Sequence, residues 1–317
     1  MKLFLAYAHA KGMTDGVSYG QLLRHLPLTT TVAQADAVVI LACWVAGFSF
    51  NHGLNAYAGK KPIIVIDYLE YGWDWPHDVD NVLGRGNCVP CSDTSNGHWG
   101  TLNLFMRGAN PRLQFKRELR KQDSSDSVVP IEFLAHLPKS KIQSKDAFDA
   151  RPLDVFNSWG LTHPSRVRAH AGMRDLMRMG LINLIEAYNG AYPPQRSWLS
   201  VETPAPMRRP MTEILGYQSM AKISVSLYGA GRKCFRSAEA PENCIMAQQQ
   251  DDFAWSYPWD ESNSVRLHEP GEVGELLSAT QRDDLYELYL ASQRNLDNYR
   301  LASYLPNWVM ANIKRVL

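Results

Sequence analysis

Short apolar runs recur along the first 70 residues, separated by stretches of mixed polarity. Leu3–Ala8 reads as a first strand, followed by a glycine-containing loop and a helix over Tyr19–Leu26. Ala37–Leu41 (AVVIL) is unbroken and rich in β-branched residues, the pattern of a strand covered on both faces. Phe50–Ala58 carries helical spacing, stops at Gly59 and leads into a third buried strand, Pro62–Ile66 (PIIVI). Strand, helix and strand in this rhythm predict a parallel sheet, and so the α/β class. Arg112–Phe115 supplies a further strand. Between Gln122 and Ala150 the texture changes to Ser, Asp, Lys and Pro, which reads as a connection between two domains. A second α/β series opens at Leu153–Phe156 (LDVF), continues through a helix over Arg166–Met179, and reaches its clearest strand at Ile223–Tyr228. Glu272–Leu317 is helical in pattern almost throughout, broken at Pro306.

A chain of 317 residues with 45% apolar residues and nine Trp is long enough for two packed domains. The net charge of +1 gives no global field to draw it to nucleic acid or membrane. Charge is uneven, however: Arg107–Arg178 holds 14 Lys/Arg against 8 Asp/Glu, which either attracts a polyanion or forms a solvated basic face. Five cysteines are an odd number and make no disulfide framework; Cys43, Cys234 and Cys244 lie in or near apolar runs and read as buried thiols. The first apolar run is too short for a signal peptide, and no stretch approaches the roughly 20 apolar residues of a membrane span. The expected compartment is the reducing cytoplasm, that of the host if the chain is viral.

Candidate chemistry concentrates in Lys222–Gln248, KISVSLYGAGRKCFRSAEAPENCIMAQ. A strand runs into Gly229-Ala230-Gly231 and then into a helix opening near Lys233. The glycines allow a tight turn and close approach of an anion to the amides, and a helix N-terminus adds unsatisfied N–H groups and partial positive charge. Arg232, Lys233 and Arg236 place full charges beside them, so a diphosphate fits this loop. Glu239 follows Arg236 by three residues, on the same helical face, where it can accept from ribose hydroxyls or form an ordinary surface ion pair. This segment resembles the donor-binding unit of the two-domain GT-B glycosyltransferases, especially exostosin-like and phage-type members, in which a strand, a glycine-rich turn, a basic residue and R-x-x-E-A open the helix that holds the nucleotide-sugar. The two Glu separated by seven residues in many retaining members are not paired here, because the position after that gap from Glu239 is Ala247.

Arg151–Arg168, RPLDVFNSWGLTHPSRVR, resembles the first strand and turn of the same domain, with Ser158, Gly160, His163 and Arg166 as donor contacts. Thr162 or Ser165 reads better as a plain helix cap, and Pro164 suits a first helical turn. In the resembling family the acceptor sits on the first domain. Asp67 and Glu70 follow PIIVI, and the C-terminal ends of parallel strands are where open α/β sheets place their sites. Either carboxylate suits a general base for an acceptor hydroxyl; Asp67 also suits a turn cap. His52, Trp73 and Arg117 are further acceptor candidates, each with a structural reading beside it. Trp255, Tyr257, Pro258 and Trp259 either form a loop near the sugar or pack in the core. Cys88-x-x-Cys91 with His77 and His98 imitates a zinc site, but the spacing is irregular and there is no second C-x-x-C, so no metal is expected.

The resemblance implies a GT-B chain of two Rossmann-like domains facing a cleft: 1–145 for the acceptor, 146–295 for the nucleotide-sugar, and 296–317 crossing back so that the C-terminal helices pack on the first domain. It implies hexosyl or pentosyl transfer from a nucleoside-diphosphate sugar, the co-substrate, to a hydroxyl of a glycan or small molecule, with no other cofactor because the basic loop stabilises the departing diphosphate. An alternative acceptor is a hydroxymethylated base in DNA, extruded as phage-type enzymes require, for which Arg112, Lys116, Arg117, Arg120 and Lys121 offer a basic cluster. A second alternative is a non-catalytic nucleotide- or nucleic-acid-binding protein that kept the fold.

Overall fold

The computed structural model describes residues 1–7, 18–42, 57, 59–68, 111–117, 119–135, 139, 141–157, 164–186, 211–227, 240–249, 253–268 and 273–317. They form two compact units, one of Met1–Leu134, Asp252–Ser256 and Arg300–Leu317, the other of Ala135–Asp251 and Tyr257–Tyr299.

The first unit is built on β1 (Leu3–Tyr7), α1 (Ser18–His25), β2 (Leu28–Thr29), β3 (Ala37–Ala42), β4 (Ile63–Asp67), β5 (Leu113–Lys116) and β6 (Val128–Pro130). Its strands are all parallel, in the order β2-β1-β3-β4-β5-β6, so the winding reverses between β1 and β3. The two unbroken apolar runs become the central strands: Ala37–Leu41 and Ile63–Ile66 are buried along their whole lengths, as a sheet covered on both faces demands. Val128–Pro130 falls inside the segment expected to connect the domains. It pairs with β5 at Gln114↔Val128 and Phe115↔Val129, and a three-residue edge strand is too short to show a period in the sequence.

The C-terminal run belongs to this first unit. Trp308 Nε1 donates to the Pro130 carbonyl at 2.8 Å, Arg315 holds the Asp126 carbonyl at 2.6 Å, and Val309 and Ile313 are buried. Pro306 does not break it. Leu301–Tyr304 passes into a π-helical turn, Leu305–Met310, and on into Ala311–Val316. The wider turn takes up a ring that lacks an N–H and would crowd the preceding turn of a regular α-helix. Glu132, buried just after β6, gathers three remote parts of the unit: its carbonyl accepts from Tyr68 Oη (3.1 Å), its N–H donates to Tyr304 Oη (3.1 Å), and its carboxylate accepts from the Ser256 N–H (3.1 Å). Phe253–Ser256 is further tied by an Arg120↔Phe253 bridge and by Ala254 N–H to the Leu119 carbonyl at 2.7 Å.

The second unit contains α2 (Lys145–Asp149), β7 (Leu153–Asn157), α3 (Pro164–Arg178), β8 (Leu184–Glu186), α4 (Met211–Met220), β9 (Ala221–Ser226), β10 (Ile245–Gln249), β11 (Val265–Leu267), α5 (Gly274–Thr280) and α6 (Leu285–Asn298). The strands are again parallel, in the order β11-β10-β9-β7-β8, with the winding reversed between β7 and β9. Val155, Ile223, Val225, Ile245 and Ala247 pack on Ala169, Met173 and Leu176 of α3 and on Leu276, Leu285, Leu288 and Tyr289 of α5 and α6. A second cluster holds Phe156, Ala221 and Cys244 against Ile214 of α4. α3 ends on Gly180, whose φ of 70° lets the Gly180 and Leu181 N–H groups return to the Met177 and Leu176 carbonyls at 3.0 Å each.

Tyr304→Phe leaves the buried Glu132 N–H without that acceptor. It should lower stability by about 1–3 kcal/mol in chemical denaturation with an unchanged circular-dichroism spectrum. An unchanged midpoint would show that water replaces the hydroxyl.

Candidate functional site

In a doubly wound sheet, ligands bind beyond the carboxyl ends of the strands where the winding reverses. In the second unit that point lies between β7 and β9, which pair at Val155↔Ile223 and Phe156↔Ser224. The two segments singled out by their chemistry leave from these strands: 158–163 follows Asn157, the end of β7, and 228–239 follows Leu227, just past β9. Paired strands are about 4.8 Å apart, so the strand ends that precede the two segments belong to neighbouring strands. Ser158, Gly160, His163, Gly229, Gly231, Arg232, Lys233, Arg236 and Glu239 themselves lie outside the described residues.

Arg166 is the one donor candidate whose side chain is described. It sits in the first turn of α3, is 7% exposed, and donates from Nη2 to the Leu227 carbonyl at 3.0 Å. Around it, polar residues collect toward the carboxyl ends of the strands. Asn157, Ser224, Ser226 and Gln248 are all buried, and Ser226 pairs with Gln248 across β9 and β10. The polar residues of KISVSL and IMAQQ are the sequence signal for this edge, since a strand buried on both faces is otherwise continuously apolar.

Of the aromatic group after β10, Trp259 is core. It stacks on Tyr299 at 5.8 Å and 6°, and its carbonyl accepts from Arg266 Nη1 (2.7 Å) and Gln248 Nε2 (3.4 Å). A cavity of about 800 Å³ opens beside β11 and α5, lined by Glu261, Arg266, His268, Glu275, Ser278 and Arg282. Its charges largely answer one another or near neighbours: His268 faces Glu275 at 3.5 Å, and Arg282 forms a bidentate pair with Asp284.

In the first unit Asp67 ends β4, as expected, but its carboxylate is committed. It is 1% exposed, with Oδ2 at 2.8 Å from Lys116 Nζ and 3.3 Å from Gln114 Nε2, both on the neighbouring strand β5. Glu70, His52 and Trp73 lie outside the described residues, as do Cys88, Cys91, His77 and His98. Arg117 is buried with its guanidinium 5.1 Å from the Phe133 ring centre. Two charges of the expected basic cluster, Lys116 and Arg117, are therefore withdrawn from solvent, and Arg112 Nε donates to the Val316 carbonyl at 3.0 Å. The cluster is not one basic face. Among the described residues no helix is long and apolar enough to cross a membrane.

Cys244 is a buried free thiol, as expected, with Sγ 3.0 Å from the Gln218 carbonyl. Burial pushes it up to about 12, against the opposing pull of the Arg151 guanidinium. Arg151 is itself buried. It donates to the Ala221 and Asn243 carbonyls and lies over the rings of Phe148 (4.7 Å) and Tyr289 (5.2 Å).

The sequence matches no family model and no curated protein. Comparison of structures defines the class: the chain has the α/β fold of the two-domain GT-B enzymes, with the C-terminal helical run on the first unit. It is similar to the UDP-forming α,α-trehalose-phosphate synthase of Burkholderia vietnamiensis (TM-score 0.54, 10% identity, covering 88% of this chain and 72% of that one). The corresponding Burkholderia xenovorans enzyme gives a TM-score of 0.53 at 10% identity, over 89% of this chain and 74% of that one. A structure described as trehalose-6-phosphate from E. coli bound with UDP-2-fluoro glucose gives 0.53 at 8% identity, over 96% and 77%.

Two measurements check this description. Lys116→Met strands a buried carboxylate and should destabilise the chain by about 3–5 kcal/mol, whereas Lys116→Met with Asp67→Asn recovers much of the loss. A mild effect of the single variant would mean that Asp67 reaches water. Cys244 should resist alkylation at pH 8 in the folded protein and react on unfolding, read by peptide mass mapping; rapid native labelling would contradict its burial.

Proposed function

We propose that the chain is a glycosyltransferase that moves a sugar from a nucleoside-diphosphate donor to a hydroxyl of a glycan or small molecule. The observation that carries this reading is the departure of segments 158–163 and 228–239 from adjacent parallel strands at the winding reversal of the second unit. Similar folds in proteins described as UDP-forming, and in one bound with UDP-2-fluoro glucose, support a uridine diphosphate donor.

In this reading the amides of Gly229–Gly231 with Arg232, Lys233 and Arg236 receive the diphosphate, joined by Ser158, Gly160 and His163 from the other segment, and Glu239 holds the ribose. The bond from the anomeric carbon to the diphosphate oxygen breaks, and its electron pair leaves with the diphosphate. The acceptor oxygen forms the new bond and gives its proton to a carboxylate. Asp67 has its carboxylate spent on Lys116 and Gln114, so Glu70 is the better base of the two. The burial of Lys116 and Arg117 removes part of the charge that favoured a DNA acceptor, and leaves a neutral hydroxyl compound as the better-supported substrate.

Arg232→Ala or Lys233→Ala should weaken UDP binding by about 1.5–3 kcal/mol in calorimetry; wild-type affinity in both would take the loop out of the site. Glu70→Gln should lower turnover by roughly 10²–10⁴-fold with UDP affinity retained, and near-normal turnover would send the search for the base to His52. Hydrolysis of a panel of nucleotide-sugars separates an enzyme from a binding protein of the same fold.

A further inference from the structure

Residues 141–150, the last part of the segment expected to connect the domains, dock on the second unit with few holdfasts. Phe148 is buried and Gln143 half-buried, whereas the other eight side chains are exposed. The helix α2 within this segment has five residues and a Ser144 cap, whose Oγ accepts from the Ala147 N–H at 3.4 Å, and a helix that short does not hold by its own bonds. What fixes the segment is contact with α6 and with Arg151. Phe148 stacks on Tyr289 at 4.7 Å and 24°. Gln143 is gripped on three sides: its N–H donates to Tyr289 Oη (3.4 Å), its carbonyl accepts from Tyr286 Oη (2.8 Å), and its Oε1 accepts from Arg151 Nε (3.0 Å).

Arg151 carries the last of these bonds inward. It is 6% exposed and stands two residues ahead of β7. Its Nη1 donates to the carbonyl of Ala221, the first residue of β9, and at 2.7 Å to that of Asn243, two residues ahead of β10. Since β9 lies between β7 and β10, one guanidinium joins a surface segment to the amino ends of three adjacent strands. Its N–H groups diverge in one rigid plane, so Nη1 cannot leave the two carbonyls without turning Nε away from Gln143. The rings of Phe148 and Tyr289 cover the same group. A buried cation that loses part of this set keeps its desolvation cost, which makes the set act together.

We infer that Arg151 is a latch and segment 141–150 a strap: the strap stays closed on α6 because a guanidinium seated on the entrances of β9 and β10 holds Gln143, and loss of that guanidinium frees the strap and loosens the entrance of β10 together. The device lies at the amino ends of the strands and does not depend on what binds at their carboxyl ends. A side chain that only filled the core would act differently, since its loss would promote opening across the whole unit, α6 included.

The test is limited trypsin digestion of the full chain, followed at Lys141 and Lys145, with hydrogen–deuterium exchange read over residues 245–249 and 285–298, for Gln143→Ala, Arg151→Met and the double variant. Gln143→Ala should speed cleavage at both lysines by about tenfold and leave 245–249 at the wild-type exchange rate. Arg151→Met should speed that cleavage by about tenfold or more and raise exchange over 245–249 by about tenfold, with 285–298 unchanged. The double variant should be cleaved no faster than Arg151→Met, because both changes remove the same bond. Unchanged cleavage in Gln143→Ala, or additive effects in the double variant, would overturn the latch. Exchange that rises as much over 285–298 as over 245–249 would overturn it in favour of general stability. If Arg151→Met does not fold, Arg151→Lys, which keeps the cation but lacks the diverging N–H groups, decides by the same comparison.

Discussion

Two neighbouring parallel strands whose chains wind away in opposite directions cannot have their following loops cross, so their carboxyl ends leave a crevice between diverging backbones. The adjacency of β7 and β9 creates this condition in the second unit, and the rest of the candidate site depends on it. It sets the carboxyl ends of β7 and β9, remote in the chain, on neighbouring strands and brings Arg166 of α3 within reach of the Leu227 carbonyl. The polar side chains of Asn157, Ser226 and Gln248 are tolerated inside strands because they stand at this edge, while the lower rungs remain apolar.

The first unit is wound in the same way. Its buried charges are arranged in pairs and around backbone groups: Asp67 with Lys116, Arg117 over Phe133, and Glu132 among Tyr68, Ser256 and Tyr304. A buried ion pair adds little net stability but punishes the loss of either partner, so it favours this register of β4 against β5 over slipped alternatives. Glu132 does the same for chain connectivity within the unit, by binding parts that come from three distant places in the sequence. This arrangement explains why Asp67, correctly placed at a strand end, is a poor choice for proton transfer.

Several sequence signals misled. The basic residues around Arg117 are close in the chain, but β5 is covered on both faces, so Lys116 and Arg117 are buried while Arg112 and Lys121, outside the strand, stay exposed. Pro306 breaks a regular helix, yet a π turn absorbs it. Val128–Pro130 is too short for periodicity to distinguish it from a connection. For Val128–Pro130 and the residues on β5 a remote strand partner decided the outcome, whereas at Pro306 the backbone itself adjusted.

The sequence alone determined the α/β class and the positions of the long buried strands, because unbroken apolar runs such as AVVIL and PIIVI are local patterns, and it is the source of the proposal that segments 158–163 and 228–239 receive a diphosphate. Only the tertiary structure decided that β7 lies beside β9, that Lys116 takes up Asp67 from 49 residues away, that Trp259 packs on Tyr299, and that Arg166 bonds to Leu227. Strand order and long-range pairing depend on which buried surfaces and charges meet in the folded chain, and no period within a single segment records its partner.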